Sequence, residues 1–374
     1  MKILITGTNG FIAKNLMVRL GELPNYEVLN FSREQDLANL ELLVNESDFI
    51  FHLAGTNRPA NISEFQVGNV DFTKKLCEFV LAAKKLIPIV LSSSTQAELQ
   101  NPYGISKRQA EDTLISFYEK YANPIYIFRL PNVFGKWAKP NYNSAVATFC
   151  NNIAHNLPIV INDHTAKLTL VYIDDVIDSF IKLLSDGPEN KNTYQTVPTV
   201  YETTVGELAS TVNMFKEIPQ TGSIMPVGCG LTRALYSTYL SYLPENKFSY
   251  SLIQHKDSRG IFVEMLKTKD SGQFSFFTAH PGITRGGHYH HSKTEKFLII
   301  QGKAQFRFRH ILSNQYYETN VDDTESTIVE TIPGWTHDIT NTGKDTLIVM
   351  LWANEVFDSK RPDTIACRIS LDDQ

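Results

Sequence analysis

Two groups of residues, one near each end of the chain, have the types and spacing that enzyme chemistry requires. The first comprises the glycine-rich run Thr6–Ala13 and, further along, Tyr103 and Lys107. The second comprises His288, His290, Glu295 and, later, His337. The first group suggests a dinucleotide held beside a proton donor, and the second suggests a metal site.

The run Thr6–Ala13 connects an apolar segment at residues 2–6 to helical spacing over residues 11–20. Gly7 permits a tight strand-to-helix turn, and Gly10 lets the backbone approach a pyrophosphate at the helix N-terminus. A turn without a ligand is the alternative, but the strand before it and the helix after it favour nucleotide binding. The residues expected to line the dinucleotide here are Gly7, Asn9, Gly10, Phe11 and Ile12.

The choice between NAD and NADP rests on the turn after the second predicted strand, residues 27–31, where Arg33 follows Ser32. An acidic residue there would bind a ribose 2′-hydroxyl, whereas an arginine pairs with a 2′-phosphate. We therefore predict NADP(H). The alternative is that Arg33 is a solvated surface residue.

Tyr103 and Lys107 are four residues apart and project from one face of a predicted helix. A lysine beside a phenol lowers the phenol's pKa, which suits Tyr103 to donate a proton to a carbonyl during reduction. An exposed helix pair is the common alternative. Ser94 ends the preceding predicted strand, where its hydroxyl can bind the same carbonyl.

The N-terminal portion resembles the extended short-chain dehydrogenases/reductases that act on nucleotide sugars. The resemblance is carried by the Thr6–Ala13 turn, His52–Gly55, Asn69–Val70, Ser94, the Tyr103/Lys107 pair and Arg129–Gly135. It implies that Ser94, Tyr103 and Lys107 are catalytic. It further implies cofactor contacts from Leu53, Ala54, Asn69 and Lys107, and a substrate contact from Asn132. The loop Gln96–Glu98 departs from the family's usual Val-Tyr-Gly, so substrate contacts there stay open.

His288 and His290 alternate on a predicted strand and so share one face, which Glu295 can reach from the next strand and His337 from a later one. Three imidazoles and a carboxylate suit Zn, Fe, Mn or Ni. The pattern resembles the cupin superfamily over about residues 250–370. We predict one divalent metal, with zinc favoured. The alternatives are a structural metal, or metal-free histidines with His290 as a base; Lys296 and Arg285 are expected to be solvated rim charges.

Alternating strands and helices in the first part of the chain predict a Rossmann-type, doubly wound parallel sheet. Strands are predicted at residues 2–6, 27–31, 48–53, 87–91 and 125–130, and helices at 65–86 and 109–121. Beyond about residue 245 the period becomes two, as in residues 274–276, 305–309 and 346–352, which predicts a cupin barrel (double-stranded β-helix). The predicted domains are 1–245 and 246–374.

Composition excludes several other classes. The 374 residues are 42% hydrophobic with a net charge of −5, which argues against disorder and nucleic-acid binding. No apolar run approaches membrane-spanning length. Four scattered cysteines suggest free thiols in a reducing compartment, so we expect a cytoplasmic protein. We also expect a homodimer.

Both signatures on one chain resemble the bifunctional capsular polysaccharide and O-antigen enzymes of the CapF/WbjC type. That resemblance implies a UDP-4-keto-6-deoxy-2-acetamido hexose whose C3 is epimerised by the cupin. The reductase would then reduce the C4 ketone with NADPH, giving UDP-2-acetamido-2,6-dideoxy-L-talose, a precursor of UDP-N-acetyl-L-fucosamine. One alternative is a monofunctional 4-ketoreductase whose cupin only binds sugar or mediates dimerisation. Another is an NADP(H) sensor, which Ser94, Tyr103 and Lys107 disfavour.

Overall fold

The computed structural model describes residues 1–187, 193–252, 254–257, 260–263, 266, 268, 272–355 and 360–370. The chain divides into two compact units, an N-terminal unit (Met1–Val133 with Thr169–Glu202) and a C-terminal unit (Phe134–Leu168 with Thr203–Gln374). This division follows packing, whereas the boundary at residues 245/246 follows a change of sequence pattern. That boundary stays a prediction.

The helices are α1 (Phe11–Gly21), α2 (Leu37–Glu46), α3 (Ser63–Phe65), α4 (Phe72–Ala82), α5 (Pro102–Tyr121), α6 (Ala145–Ala154), α7 (Ile173–Asp186), α8 (Val205–Thr221) and α9 (Gly230–Leu240). The first strands are β1 (Lys2–Thr6), β2 (Glu27–Phe31), β3 (Phe49–His52), β4 (Ile89–Ser94), β5 (Ile125–Leu130), β6 (Asn132–Phe134), β7 (Lys167–Tyr172), β8 (Tyr194–Gln195) and β9 (Tyr201–Thr204). The later strands are β10 (Ser249–Ser251), β11 (Gln254–Asp257), β12 (Gly260–Val263), β13 (Gln273–Ala279), β14 (Thr284–Tyr289), β15 (Glu295–Gln301), β16 (Lys303–His310), β17 (Tyr316–Asp322), β18 (Thr327–Glu330), β19 (Trp335–Asn341), β20 (Leu347–Ala353) and β21 (Ile365–Ala366).

The N-terminal unit contains a six-stranded sheet in the order β2-β1-β3-β4-β5-β8, with every paired strand parallel. Its central strands are buried apolar runs, because helices cover both faces of such a sheet. Leu4, Ile50 and Ile127 lie in one core with side chains of α2, α4 and α5. The predicted doubly wound fold is confirmed, and the strand ends at Thr6, His52 and Ser94 are the positions where ligands bind in such sheets.

Helix α5 begins earlier than the pattern over residues 109–121 predicts. Asn101 caps it by accepting a hydrogen bond from the Gly104 amide at 2.8 Å, and Pro102 occupies the first turn. Both are ordinary helix-start signals. The correction places Tyr103 and Lys107 in the first two turns of α5.

The C-terminal unit contains two antiparallel five-stranded sheets, ordered β10-β18-β15-β20-β13 and β17-β16-β19-β14-β21. Phe297 and Val349 of the first sheet share a core with Phe306 and Ile339 of the second. The predicted cupin-like fold is confirmed. The predicted metal ligands on β15 and β19 lie on the same inward face as this core, since Glu295 is two residues from Phe297 and His337 is two residues from Ile339.

Helix α9 lies in a segment that the sequence pattern did not assign to a helix. Every residue from Ala234 to Leu240 is buried, so α9 shows no polar stripe and lacks the periodicity by which surface helices are recognised. Tyr236 and Tyr239 pack against Phe215 of α8.

Cys77, Cys150, Cys229 and Cys367 are free thiols. Within the described ranges, no helix combines the length and apolarity that crossing a bilayer would need.

Candidate active site and metal centre

The turn after β1 needs glycine at position 7. Gly7 has φ +75°, and a Cβ added there would lie 2.6 Å from the Cα of Ala54. Gly10 is the N-cap of α1 and has no side chain with which to cap it, so the first N–H groups of α1 are available to a phosphate. This backbone fits the pyrophosphate of a dinucleotide.

The loop after β3, which contains the predicted cofactor contacts Leu53 and Ala54, is held by buried hydroxyls. The Ala54 amide donates to Thr6 Oγ1 at 3.2 Å, and the same hydroxyl lies 2.9 Å from His52 Nδ1. Burial, aided by the charge of Lys107, lowers the pKa of His52 to about 3. His52 is therefore a neutral structural residue that fixes the start of this loop.

Arg33 is exposed to solvent over 95% of its side chain, and its Nε lies 3.9 Å from Glu34 Oε1. Glu34, which the sequence interpretation passed over, also accepts from Asn9 Nδ2 at 3.0 and 3.2 Å. One cation and one anion thus lie together beside the glycine-rich turn. Its position directly after Arg33 was the feature of the sequence that could have identified Glu34 as a site residue.

Lys107 is buried, and its Nζ donates to the Ser92 carbonyl at 2.8 Å. Burial lowers its pKa to about 8, although Glu111 acts in the opposite direction. Tyr103 lies one turn earlier on α5, half-buried, with its ring centroid 5.8 Å from that of Phe65. The ammonium is therefore anchored at the C-terminal end of β4.

Gly104 is a site residue that the sequence interpretation missed. A Cβ at this position would overlap the Gln96 carbonyl oxygen, so only glycine lets α5 approach the 3₁₀ turn Thr95–Glu98. Ser94 caps that turn by accepting from the Gln96 amide at 3.2 Å. The close approach brings Tyr103 and Ser94 to the same end of the sheet.

Asn69 lies in a π-helical turn, Gln66–Asp71, and turns of this kind are frequent at functional sites. Its amide accepts from the Thr56 N–H at 2.7 Å and donates to the Thr56 carbonyl and to Ser106 Oγ, each at 2.9 Å. Asn69 therefore braces the end of the Leu53–Thr56 loop against α5.

Glu111 is fully buried and joins several polar groups behind the site. It accepts a hydrogen bond from Ser93 Oγ, and Arg129 Nη2 lies 2.6 Å from its Oε2. Glu111 was not predicted because these partners lie on β4 and β5, far from it in the sequence.

The predicted substrate residue Asn132 is exposed at the start of β6 and donates to the Thr169 carbonyl at 3.3 Å.

The four predicted metal ligands come together in the C-terminal unit. Each of His288, His290, Glu295 and His337 offers one ligand atom, and these atoms all lie within 4.8 Å of one another. His288 of β14 is directly opposite His337 of β19 in the sheet register.

Neither ring nitrogen of His337 has a hydrogen-bond partner among the described residues, with Glu295 Oε2 at 3.6 Å from Nε2. Burial lowers the pKa of His337, so its lone pair is free. Burial, with the neighbouring imidazoles His337 and His290, lowers the pKa of His288 to about 3. Neutral imidazoles such as these, beside one carboxylate, fit a divalent metal ion.

Glu295 completes this group. Burial opposes its ionisation, but the facing His290 outweighs burial and holds the pKa of the carboxyl well below its usual range. Burial likewise disfavours the charged form of His290, yet Glu295 at 3.2 Å raises the pKa of that imidazole. Lys293 Nζ, which was not predicted, lies 2.8 Å from Glu295 Oε1.

The two residues expected to be solvated rim charges, Arg285 and Lys296, differ in burial. Arg285 is exposed, as expected, whereas Lys296 is buried and pairs with Glu330 and the hydroxyl of Tyr250. The expectation for Lys296 is wrong because the outer face of β15 is covered where Lys296 emerges.

Comparisons with known proteins agree with both halves of this architecture. Residues 3–195 match the NAD dependent epimerase/dehydratase family, and residues 255–365 match the polysaccharide biosynthesis C-terminal domain. The chain belongs to the NAD dependent epimerase/dehydratase family. That membership implies an NAD(P) cofactor in the N-terminal unit.

A Pseudomonas aeruginosa protein, UDP-2-acetamido-2,6-beta-L-arabino-hexul-4-ose reductase, is 56% identical over 369 residues, covering 99% of both chains. The solved structure of the capsular polysaccharide assembling protein CapF from Staphylococcus aureus is 41% identical with a TM-score of 0.69, and the match covers 98% of this chain and all of that one. Human dTDP-D-glucose 4,6-dehydratase is 25% identical over 264 residues, covering 58% of this chain and 74% of its own. The full-length matches confirm the resemblance to two-domain enzymes of the CapF/WbjC type.

Proposed function

We propose that this protein is a two-step nucleotide-sugar enzyme of capsule or O-antigen synthesis. In this proposal the cupin-like half epimerises C3 of a UDP-4-keto-6-deoxy-2-acetamido hexose. The N-terminal half then reduces the C4 ketone with NADPH to UDP-2-acetamido-2,6-dideoxy-L-talose. The observation that carries it is the largely buried cluster of three imidazoles around Glu295 on the same chain as a reductase site.

The reductase step is supported by the arrangement on α5. Tyr103 would donate a proton to the C4 oxygen, and Ser94 would hold that oxygen by a hydrogen bond. The buried Lys107 ammonium would lower the phenol's pKa in the bound complex. When bound, NADPH supplies the hydride. The full-length relative carries in its name a 4-ulose of a UDP-2-acetamido sugar, which is the substrate class proposed here.

The epimerase step uses the acidity that a C4 ketone gives to the C3 hydrogen, since loss of that proton leaves an enolate. His288, His290, Glu295 and His337 would hold the metal, which acts as a Lewis acid when bound. His290 Nδ1 lies 2.5 Å from the Asp363 carbonyl oxygen and must be the donor, so only Nε2 faces the site. A ligand role and a base role for His290 therefore exclude each other at one nitrogen.

NADPH is proposed over NADH because Arg33 lies in the loop after β2, where the ribose is expected, and 95% of its side chain is exposed. Arg33→Ala should raise the KM for NADPH about tenfold and leave the KM for NADH nearly unchanged. Glu34→Gln, which removes the neighbouring anion, should lower the KM for NADPH. Equal KM changes for both cofactors in Arg33→Ala would contradict this assignment.

The deciding experiment follows the substrate by NMR in D₂O, first without nicotinamide and then with NADPH. We expect deuterium at C3 before NADPH is added, then reduction at C4. Tyr103→Phe should keep the exchange and lose reduction, whereas Glu295→Gln should lose the exchange. Glu325→Gln, at an exposed turn, is the matched control.

NADPH consumption without C3 exchange would leave a 4-ketoreductase whose cupin-like half only binds sugar or mediates assembly. Treatment with a chelator separates the two roles of His290. Exchange that survives metal removal supports the metal-free route with His290 as the base, and exchange that is lost supports the metal-dependent route with His290 among the ligands. A homodimer, the proposed assembly, is measured on the same samples by light scattering.

A further inference from the structure

The residues after the last barrel strand return to the metal centre. Strand β21 pairs antiparallel with β14, placing Ala366 opposite His288 and Ile365 opposite Tyr289. The Cys367 amide donates to the Gly287 carbonyl at 2.8 Å. Residues 360–370, called here the C-terminal segment, thus extend the sheet that carries two of the candidate ligands.

Asp363 of this segment contacts both His290 and the turn that follows it. Its Oδ1 accepts from the His291 amide at 2.8 Å, and its Oδ2 accepts from the amides of Ser292 and Lys293 at 2.9 and 2.8 Å. Ser292 Oγ adds a fourth bond at 3.1 Å. One carboxylate therefore closes the turn that leads from His290 to Glu295.

The backbone of Asp363 contacts His290 directly. Its carbonyl oxygen lies 2.5 Å from His290 Nδ1, while His290 Nε2 lies 3.2 Å from Glu295 Oε2. Asp363 has φ +35°, outside the region that most non-glycine residues adopt. This conformation lets the carbonyl reach His290 while the side chain reaches the turn.

We propose that Asp363 is a positioning residue of the metal centre, holding His290 with Nδ1 protonated and Nε2 aimed at the ligand cluster. The inference rests on the metal site of the proposed function. Ligating histidines commonly donate their other ring nitrogen to a carbonyl or carboxylate, and loss of such a partner weakens metal binding by about 10- to 100-fold. Asp363 supplies that acceptor and also fixes the turn between two ligands.

The C-terminal segment has a second anchor, independent of Asp363. The buried Arg309 donates from Nε to the Ile369 carbonyl at 2.9 Å and from Nη2 to the Arg368 carbonyl at 2.8 Å. A substitution at Asp363 should therefore leave β21 in place. It keeps the backbone carbonyl at residue 363 but removes the side-chain bonds to the turn, so the carbonyl is no longer held against His290 Nδ1. That separation makes a substitution at Asp363 interpretable.

The test compares the full-length wild type with Asp363→Ala, the milder Asp363→Asn, and the control Thr364→Ala, whose hydroxyl bonds only to the exposed Pro362 carbonyl among the contacts described. Metal-free protein is titrated with Co²⁺ alone, followed by its visible absorption. We expect about 10- to 100-fold weaker Co²⁺ binding and an altered band shape for Asp363→Ala. Asp363→Asn should be intermediate and Thr364→Ala unchanged.

Histidine side chains are followed in parallel by ¹⁵N NMR of the metal-free protein. His290 should show a slowly exchanging Nδ1 proton in the wild type, and this proton should exchange faster in Asp363→Ala. If Asp363→Ala does not fold, Asp363→Asn and the wild-type signal carry the test.

The outcomes separate the two levels of the proposal. Wild type that binds no Co²⁺ refutes the metal site of the proposed function. Two results would overturn the positioning role alone. In the first, the wild type binds Co²⁺ and the Asp363 variants bind it with the same affinity and spectrum. In the second, His290 carries no proton on Nδ1.

Discussion

Asn69→Ala tests whether the π-helical turn supports the cofactor loop. The side chain makes three buried or part-buried hydrogen bonds, two to the backbone of Thr56 and one to Ser106 Oγ. The substitution would free the end of the Leu53–Thr56 loop from α5. The isosteric Asn69→Asp keeps the shape but replaces the donating amide with an acceptor.

The expected magnitude follows from these contacts. At about 1 kcal/mol net for each hydrogen bond, Asn69→Ala should lower the free energy of unfolding by about 3 kcal/mol. For a unit of this size that corresponds to a Tm lower by about 6–12 °C. If about half of this energy is also needed to hold the loop in its binding geometry, NADPH should bind about tenfold more weakly.

Thermal unfolding and fluorescence titration with NADPH measure the two effects on one sample. Gln66→Ala, an exposed position in the same turn, is the control and should change neither. The reasoning is refuted if Asn69→Ala has the Tm and NADPH affinity of the Gln66 control. A lower Tm with unchanged affinity would limit Asn69 to a structural role.

Three further predictions follow from single contacts. Gly104→Ala forces a Cβ against the Gln96 carbonyl, so kcat for reduction should fall at least tenfold with NADPH affinity retained, measured by steady-state kinetics. Lys107 has its pKa lowered from 10.5 to about 8, so the unfolded chain binds more protons between these values. Lys107 should therefore contribute a rise in stability of up to about 3 kcal/mol as pH increases from 8 towards 10.5, and the difference in urea unfolding between the wild type and Lys107→Met should change by this amount over that range. Lys296→Met leaves Glu330 buried without its cation and should cost about 3–5 kcal/mol in urea unfolding, most of which the double variant with Glu330→Leu should recover.

Local pattern was sufficient to predict most of the fold. Buried parallel strands read as continuous apolar runs, and β1, β2 and β5 match their predicted bounds at residues 2–6, 27–31 and 125–130. Helix α9 was not predicted because its residues 234–240 are all buried, and a helix buried on all sides has no polar stripe in its sequence. The start of α5 was misplaced although its Asn-Pro start signal is plain in the sequence.

Some residues of the candidate site could likewise be predicted from the local sequence pattern, and others could not. His288 and His290 were predictable because they are two residues apart at the end of β14, and Glu295 because it begins β15, the next strand along the chain. That strand belongs to the other sheet, and the ligand atom of Glu295 lies within 4.8 Å of theirs. Asp363 and Glu111 were not, since each acts on residues that are distant in sequence and close only in the folded chain. Residues that supply chemistry are thus visible locally, whereas residues that hold them in place depend on topology.

Lys296 shows why alternation alone is an incomplete guide. The strand period correctly places Glu295 inward and its neighbour on the opposite face of β15. That opposite face, however, is not solvent at this position, because Tyr250 of β10 lies over it and Glu330 is the cross-strand neighbour. A buried charge costs free energy unless it is paired, and Glu330 supplies the pair. The period of a strand therefore fixes the face on which a side chain emerges, and only the elements packed on that face decide whether a charge there is solvated or part of the interior.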